Sequence, residues 1–80
     1  MRNSIVITAA GALEWNGQTV TQPQLRHLLT VSTQLPEVPE LHLRPDAAAP
    51  YRVVDEVLVL TKRANVQKLS FVGNEAYARF

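Results

Sequence analysis

The stretch Leu41–Val72, LHLRPDAAAPYRVVDEVLVLTKRANVQKLSFV, decides the fold because its apolar pattern changes period twice. Its first four residues alternate apolar and polar side chains, which is typical of a strand with one buried face. Pro50 opens a helical pattern whose apolar positions recur as far as Ala64, and Lys68–Val72 alternates again. Strand, helix and strand in this order predict a βαβ unit with two parallel strands.

The first twenty residues predict a small β-meander. Ser4–Thr8 is rich in β-branched residues, which favour strands, and Leu13–Trp15 returns as a second short strand. Asn16-Gly17 predicts a type I′ turn because both residues take a positive φ at low cost. Gln18–Val20 is then the short arm that follows this turn.

A first helix is predicted after this meander. Thr21 and Gln24 have the spacing of a capping box, and Pro23 is tolerated in the first turn. The helix is expected to end near Gln34, because Pro36 disfavours helical geometry in the residue before it. The side chains expected on its buried side are Leu25, Leu28 and Leu29, with either Val31 or Leu35.

These elements predict an α/β (α+β) two-layer sandwich with the order β-β-α-β-α-β. Two helices would pack on one face of a small mixed sheet. The 80 residues are interpreted as a single domain, 1–80, which buries only about 60–65% of its unfolded surface. One thin core is expected, and a buried active-site chamber is not.

Composition disfavours several classes of function. The net charge is +1, and only Lys62 and Arg63 are adjacent basic residues, whereas nucleic-acid binders usually carry a basic stripe. The absence of cysteine excludes disulfides, thiolate zinc sites and cysteine nucleophiles. The longest aliphatic run, Val57–Leu60, is too short for a membrane helix, so the chain is expected to be soluble. Because strand residues begin almost at once, it is interpreted as a piece of a longer protein.

No constellation of residues predicts catalysis or a cofactor. His27 and His42 are each predicted to be solvated structural histidines, since no Cys, His or carboxylate cluster accompanies them. Asp46 follows a strand and is predicted to form an Asx-type turn, with a partner contact as the alternative and catalysis third. Asp55 and Glu56 diverge by roughly 100° on a helix and cannot share one acid–base site. Trp15 is expected to pack on the sheet, with an interface role as the alternative.

Several segments together resemble one family, in the same order along roughly positions 5–75. They resemble the periplasmic, C-terminal domain of the ExbD/TolR biopolymer transport family. The Trp15–Gly17 turn and the Val72–Glu75 ending are more similar to ExbD than to TolR. Pro45 and Asn65 depart from the usual pattern, and both suit their local geometry. The matching segments are 5–8, 11–18, 20–21, Leu25, 41–46, 50–57, 62–66 and 68–75.

This resemblance implies a non-enzymatic role without metal, cofactor, small-molecule substrate or nucleic acid. It implies a periplasmic domain whose full-length protein is anchored in the inner membrane by a single helix outside this chain. That protein would belong to the proton-motive-force-driven motor that energises TonB-dependent outer-membrane transport, such as the import of iron complexes. The implied partners are a TonB-like protein, an ExbB-like membrane protein and a second copy in a homodimer. The alternative is a TolR-like envelope-integrity domain that contacts peptidoglycan.

Two partner-binding surfaces are predicted. A thin two-layer domain leaves a sheet edge open, and an extended peptide can pair with such an edge through main-chain hydrogen bonds. The first predicted surface is the closing strand and its tail, and the second is the corner before the second helix. Their residues are Leu69, Ser70, Phe71 and Val72 for the strand, and Arg44, Asp46 and Tyr51 for the corner.

Overall fold

The computed structural model describes residues 2–72 and contains two helices and five strands in that range. Predictions that involve Gly73, Asn74, Tyr77 and Phe80 lie outside the described residues. The elements, in chain order, are β1 (Arg2–Ile7), β2 (Leu13–Trp15), β3 (Gln18–Val20), α1 (Gln22–Thr33), β4 (Glu40–Pro45), α2 (Tyr51–Arg63) and β5 (Leu69–Phe71).

The strands form one mixed sheet in the order β3-β2-β1-β4-β5. The β1–β2 and β2–β3 pairs are antiparallel, whereas β4 is parallel to both β1 and β5. The predicted two-layer class is confirmed, and so is the parallel βαβ unit. The arm 18–20 is a full strand, so the order is β-β-β-α-β-α-β.

The core lies between the helices and one face of the sheet, because alternate strand residues point to opposite faces. Ile5 and Leu43 are both fully buried and lie opposite each other on the central strands. Trp15 is half-buried and packs against this core, which confirms the packing interpretation. The buried apolar set is Ile5, Ile7, Leu13, Leu25, Leu29, Leu41, Leu43, Ala49, Val53, Val54 and Val57.

Helix α1 begins as the sequence predicts. The Thr21 N–H donates to Oε1 of Gln24 over 2.8 Å, and the Gln24 N–H donates to Oγ1 of Thr21 over 3.3 Å, which completes the capping box. The prediction that Val31 or Leu35 joins the buried side is wrong, since their side chains are 45% and 41% exposed. Val31 lies roughly 200° around the helix from buried Leu29, and Leu35 lies beyond the end of α1.

Helix α2 ends in the predicted way. Asn65 adopts a φ of +63°, the left-handed conformation that closes many helices. Lys62 and Arg63 lie in the last turn, where positive charge complements the helix dipole. This end leads the chain back to β5 at the margin of the sheet.

Candidate partner-binding surface

The predicted strand surface lies at one margin of the sheet. Strand β5 pairs in parallel with β4, with Leu69 opposite Leu41 and Phe71 opposite Leu43. Among the strands of residues 2–72, none pairs with β5 on its other side. Within the described chain, β5 is therefore an edge strand.

Successive residues of β5 point their backbone N–H and C=O groups alternately toward β4 and toward the open edge. The Leu41 N–H donates to the Lys68 carbonyl over 2.8 Å. The Val72 N–H donates to the Leu43 carbonyl over 2.9 Å. Because every second residue of a parallel strand bonds the same neighbour, the N–H and C=O of Leu69 point away from β4.

The side chains of β5 serve the fold rather than the outer surface. Leu69 and Phe71 are half-buried and pack against the core. Ser70 points to the other face, beside His42 of β4. Val72 is also half-buried. This edge therefore offers a partner mainly backbone N–H and C=O groups.

The corner residues lie at the carboxyl end of β4, but in different layers. Arg44 is exposed and shares the face of Val6, opposite the helices. Tyr51 is the first residue of α2 and its side chain is 53% exposed. Asp46 lies in the turn between them, with its N–H bonded to the Ile7 carbonyl over 2.8 Å. The structure places these residues around a turn rather than along one strand.

Asp46 forms the predicted Asx-type turn. Its Oδ1 accepts the Ala48 N–H over 2.9 Å, and its carbonyl accepts the Ala49 N–H over 2.9 Å. Ala49 is buried, so this turn directs the chain from β4 into the helix layer. The structural role of Asp46 is confirmed by this geometry.

A substitution pair at Asp46 separates its hydrogen bond from its charge. We expect Asp46→Ala to lower the free energy of unfolding by about 1 kcal/mol, because the Ala48 N–H loses its acceptor. Asp46→Asn keeps an acceptor oxygen and is expected to cost less than half as much. Urea denaturation of both variants measures the difference. Equal losses for the two substitutions would show that the charge, not the turn, matters.

The prediction that His42 is solvated is wrong. Its side chain is only 15% exposed, and its Nε2 lies 2.8 Å from Oε1 of Glu40. Its Nδ1 is fully buried and has no hydrogen-bond partner within the described chain. The register explains the burial, because Ser4 of β1 and Ser70 of β5 flank His42 on the same face. His27, in contrast, is exposed as predicted.

Of the two adjacent carboxylates of α2, Glu56 is held in local contacts. Glu56 is hydrogen-bonded by the Gln22 side-chain amide and lies 3.5 Å from Nε of Arg52. Asp55 is exposed on the neighbouring position of α2. Over residues 2–72, no group of three or more His, Cys, Asp or Glu side chains could hold a metal ion.

One feature that sequence reasoning missed is the second margin of the sheet. The sequence predicts β3 as the arm of a hairpin, but not that β3 ends the sheet beside α1. The sequence pattern of α1 does not predict a groove, because its outward-facing positions have the composition of an ordinary polar helix face.

Comparison with known protein families gives a match, over residues 3–76, to the family described as "Biopolymer transport protein ExbD/TolR". This chain belongs to the ExbD/TolR family. The match includes both helices and all five strands, except for Arg2 at the start of β1. ExbD/TolR proteins are associated with biopolymer transport, and this chain is a domain of that kind.

Comparison with curated proteins gives no match. No helix within residues 2–72 has the length and hydropathy needed to span a membrane. The ExbD/TolR assignment therefore depends on the family match and on the agreement of the fold with the predicted element order.

Proposed function

We propose that this chain is the periplasmic interaction domain of an ExbD-like component of the proton-motive-force-driven motor that energises TonB-dependent outer-membrane transport. Membership of the ExbD/TolR family supports the transport role. The resemblance of Trp15–Gly17 to ExbD favours that branch over TolR. A single helix outside this chain anchors the full-length protein in the inner membrane, where it meets an ExbB-like partner and a second copy of itself.

The observation that carries the proposal is the edge position of β5. Leu69 turns its N–H and C=O away from β4, and no strand of residues 2–72 occupies that side. An added strand gains main-chain hydrogen bonds at such an edge. A segment of a TonB-like protein pairs here, and domain 1–80 transmits motor movement through the sheet.

The packing of β5 makes it suitable for this role. Leu69 and Phe71 are anchored in the core, so an added strand meets an edge whose geometry is already fixed. Preformed binding surfaces lose less conformational entropy on association than flexible ones. The corner of Arg44, Asp46 and Tyr51 is the second proposed surface.

The test is a titration of a TonB periplasmic peptide into isotope-labelled protein, followed by amide chemical shifts. We expect the largest shifts at Leu69 and its neighbours in β5. Leu69→Pro is expected to weaken binding about tenfold, because it removes the outward N–H donor. Leu69→Ala is the matched control, since it removes the same side chain and keeps the N–H.

Other results contradict parts of the proposal. Shifts confined to Arg44, Asp46 and Tyr51 would move the site to the corner and overturn the β5 assignment. Equal weakening by Leu69→Pro and Leu69→Ala would show that packing, and not main-chain pairing, controls binding. Retention on purified cell-wall sacculi, with no response to the TonB peptide, would favour the TolR-like role over the ExbD-like one.

A further inference from the structure

Asn16 belongs to the turn between β2 and β3, and it also ties this hairpin to β1. With a φ of +49°, it forms the two-residue turn together with Gly17. Its N–H donates to the Ser4 carbonyl over 2.9 Å. Its side chain adds two bonds to β1, because Oδ1 accepts the Ser4 N–H over 2.9 Å and Nδ2 donates to Oδ1 of Asn3 over 3.1 Å. Both polar atoms of the Asn16 amide are therefore engaged.

The Asn16-Gly17 sequence has an intrinsic chemical reactivity. The backbone nitrogen that follows an asparagine can attack the side-chain carbonyl carbon, Cγ, and glycine hinders this approach least because it has no Cβ. Gly17 is exposed, and within residues 2–72 no atom apart from its chain neighbours lies within 4 Å of an added Cβ. Of the four asparagines, Asn16 alone precedes glycine; Asn3, Asn65 and Asn74 precede serine, valine and glutamate.

The hydrogen bonds to β1 oppose this reaction in the folded domain. The attack requires the Asn16 side chain to rotate until Cγ meets the Gly17 nitrogen. That rotation breaks the bonds of Oδ1 with Ser4 and of Nδ2 with Asn3. Since each such bond contributes modestly to stability, losing both is expected to slow the reaction by about tenfold or more.

We propose that Asn16 is a site of spontaneous deamidation, which is slow while the β2–β3 hairpin is tied to β1 and fast once the hairpin detaches. The Gly17 nitrogen bonds to Cγ of Asn16, the Cγ–Nδ2 bond breaks, and the leaving group takes the Gly17 proton and departs as ammonia. Water then opens the cyclic imide. Its addition at Cγ gives aspartate, and its addition at the main-chain carbonyl carbon of Asn16 gives isoaspartate. This reaction does not depend on the function proposed for the β5 edge.

Either product weakens this margin of the sheet. Aspartate has an oxygen in place of the Nδ2 donor, so the present bond to Oδ1 of Asn3 is lost. Isoaspartate adds one carbon to the main chain of a two-residue turn, which displaces Trp15 and Gln18 from their paired positions. Among the strands of residues 2–72, β3 pairs with β2 alone, so a disturbed turn loosens the whole of β3.

The test incubates the full chain at mildly alkaline pH, in buffer and in urea that unfolds it. Peptide mass spectrometry follows the change in mass at each asparagine, and chromatography separates the isoaspartate and aspartate products. We expect Asn16 to react about tenfold more slowly in the folded chain than in urea. Asn65 is an internal reference, because it also has a positive φ, of +63°, but precedes valine. It is expected to react more slowly than Asn16 in urea.

A substitution pair at Asn3 tests the role of the hydrogen bonds. Asn3→Ala removes the acceptor of Nδ2 and is expected to accelerate the reaction of Asn16 about fivefold in the folded chain, with no change in urea. Asn3→Asp keeps an acceptor oxygen and is expected to retain the slow rate. Amide spectra and urea denaturation of both variants verify that any acceleration occurs in folded protein.

The outcomes separate the proposal from its alternatives. Equal rates for Asn16 in the folded and the unfolded chain would overturn it, and so would equal rates for the two Asn3 variants. Reaction of Asn65 ahead of Asn16 in urea would show that the glycine does not determine the site. Hydrogen exchange at Trp15 and Gln18 is expected to be faster in the isolated deamidated product than in the unmodified chain. Unchanged exchange there would contradict the predicted loosening of β3.

Discussion

Replacing Leu43 with alanine is expected to lower the free energy of unfolding by about 3–4 kcal/mol. Leu43 is fully buried on β4, between Ile5 of β1 and Phe71 of β5. Its removal leaves a cavity at the centre of a thin core that cannot collapse, because the sheet holds both neighbours in register. A domain of this size has roughly 4–12 kcal/mol of stability, so the loss is a large fraction of the total.

The matched control is Val59→Ala. Val59 lies on α2 with 48% of its side chain exposed, and its truncation is expected to cost less than about 0.5 kcal/mol. Urea denaturation followed by far-ultraviolet circular dichroism measures both variants. Similar losses for Leu43 and Val59 would contradict the assignment of the core to the space between helices and sheet.

Gly11→Val is the second substitution expected to be severe, at about 3–4 kcal/mol. Gly11 has a φ of +87°, which β-branched residues avoid. A Cβ added there would lie 3.4 Å from side-chain carbons of both Pro50 and Val53. The further methyl groups of valine would press on the start of α2, since the turn between β1 and β2 lies against it.

Gly17→Val separates the two causes of this loss. Gly17 has a nearly equal φ of +89°, but no atom lies within 4 Å of its added Cβ. Only the backbone strain remains, and we expect a loss of about 2 kcal/mol. Thermal unfolding of the two valine variants compares them directly. A Gly17 variant as unstable as the Gly11 variant would indicate that the contact with α2 is unimportant.

Local signals made most of the fold predictable. The capping box of Thr21 and Gln24, the Asn16-Gly17 turn and the left-handed Asn65 each depend on one or two neighbouring residues. Such signals specify where an element begins or ends without knowledge of the rest of the chain. The alternating pattern of residues 41–44 likewise indicated which face of β4 is buried, and Leu41 and Leu43 are in the core.

Burial that depends on distant residues was harder to predict. His42 appeared solvated because its own strand is polar on that side, but Ser4 and Ser70 flank it from β1 and β5. Val31 is a different case, because it lies roughly 200° around the helix from buried Leu29, and helix geometry alone accounts for its 45% exposure. The burial of His42, in contrast, depends on packing between elements, which no local pattern contains.

The candidate surfaces were predictable to different degrees. A strand at residues 69–71 follows from alternation, and its edge position required the strand order of the sheet. A groove between β3 and the start of α1, lined by Val20, Pro23, Gln24, His27 and Leu28, depends on how the helix crosses the sheet margin. Arg44, Asp46 and Tyr51 are near in sequence, but the turn separates them into two layers.

The unequal lengths of the strand pairs have a mechanical consequence. Strands β1 and β4 are paired over six positions, from Arg2 with Glu40 to Ile7 with Pro45, whereas β4 and β5 are paired over three positions among residues 2–72. A force pulling a ligand strand along β5 would shear the shorter ladder while the longer one still holds. Under tension the domain would release β5 first, while the central pair of β1 and β4 would stay intact.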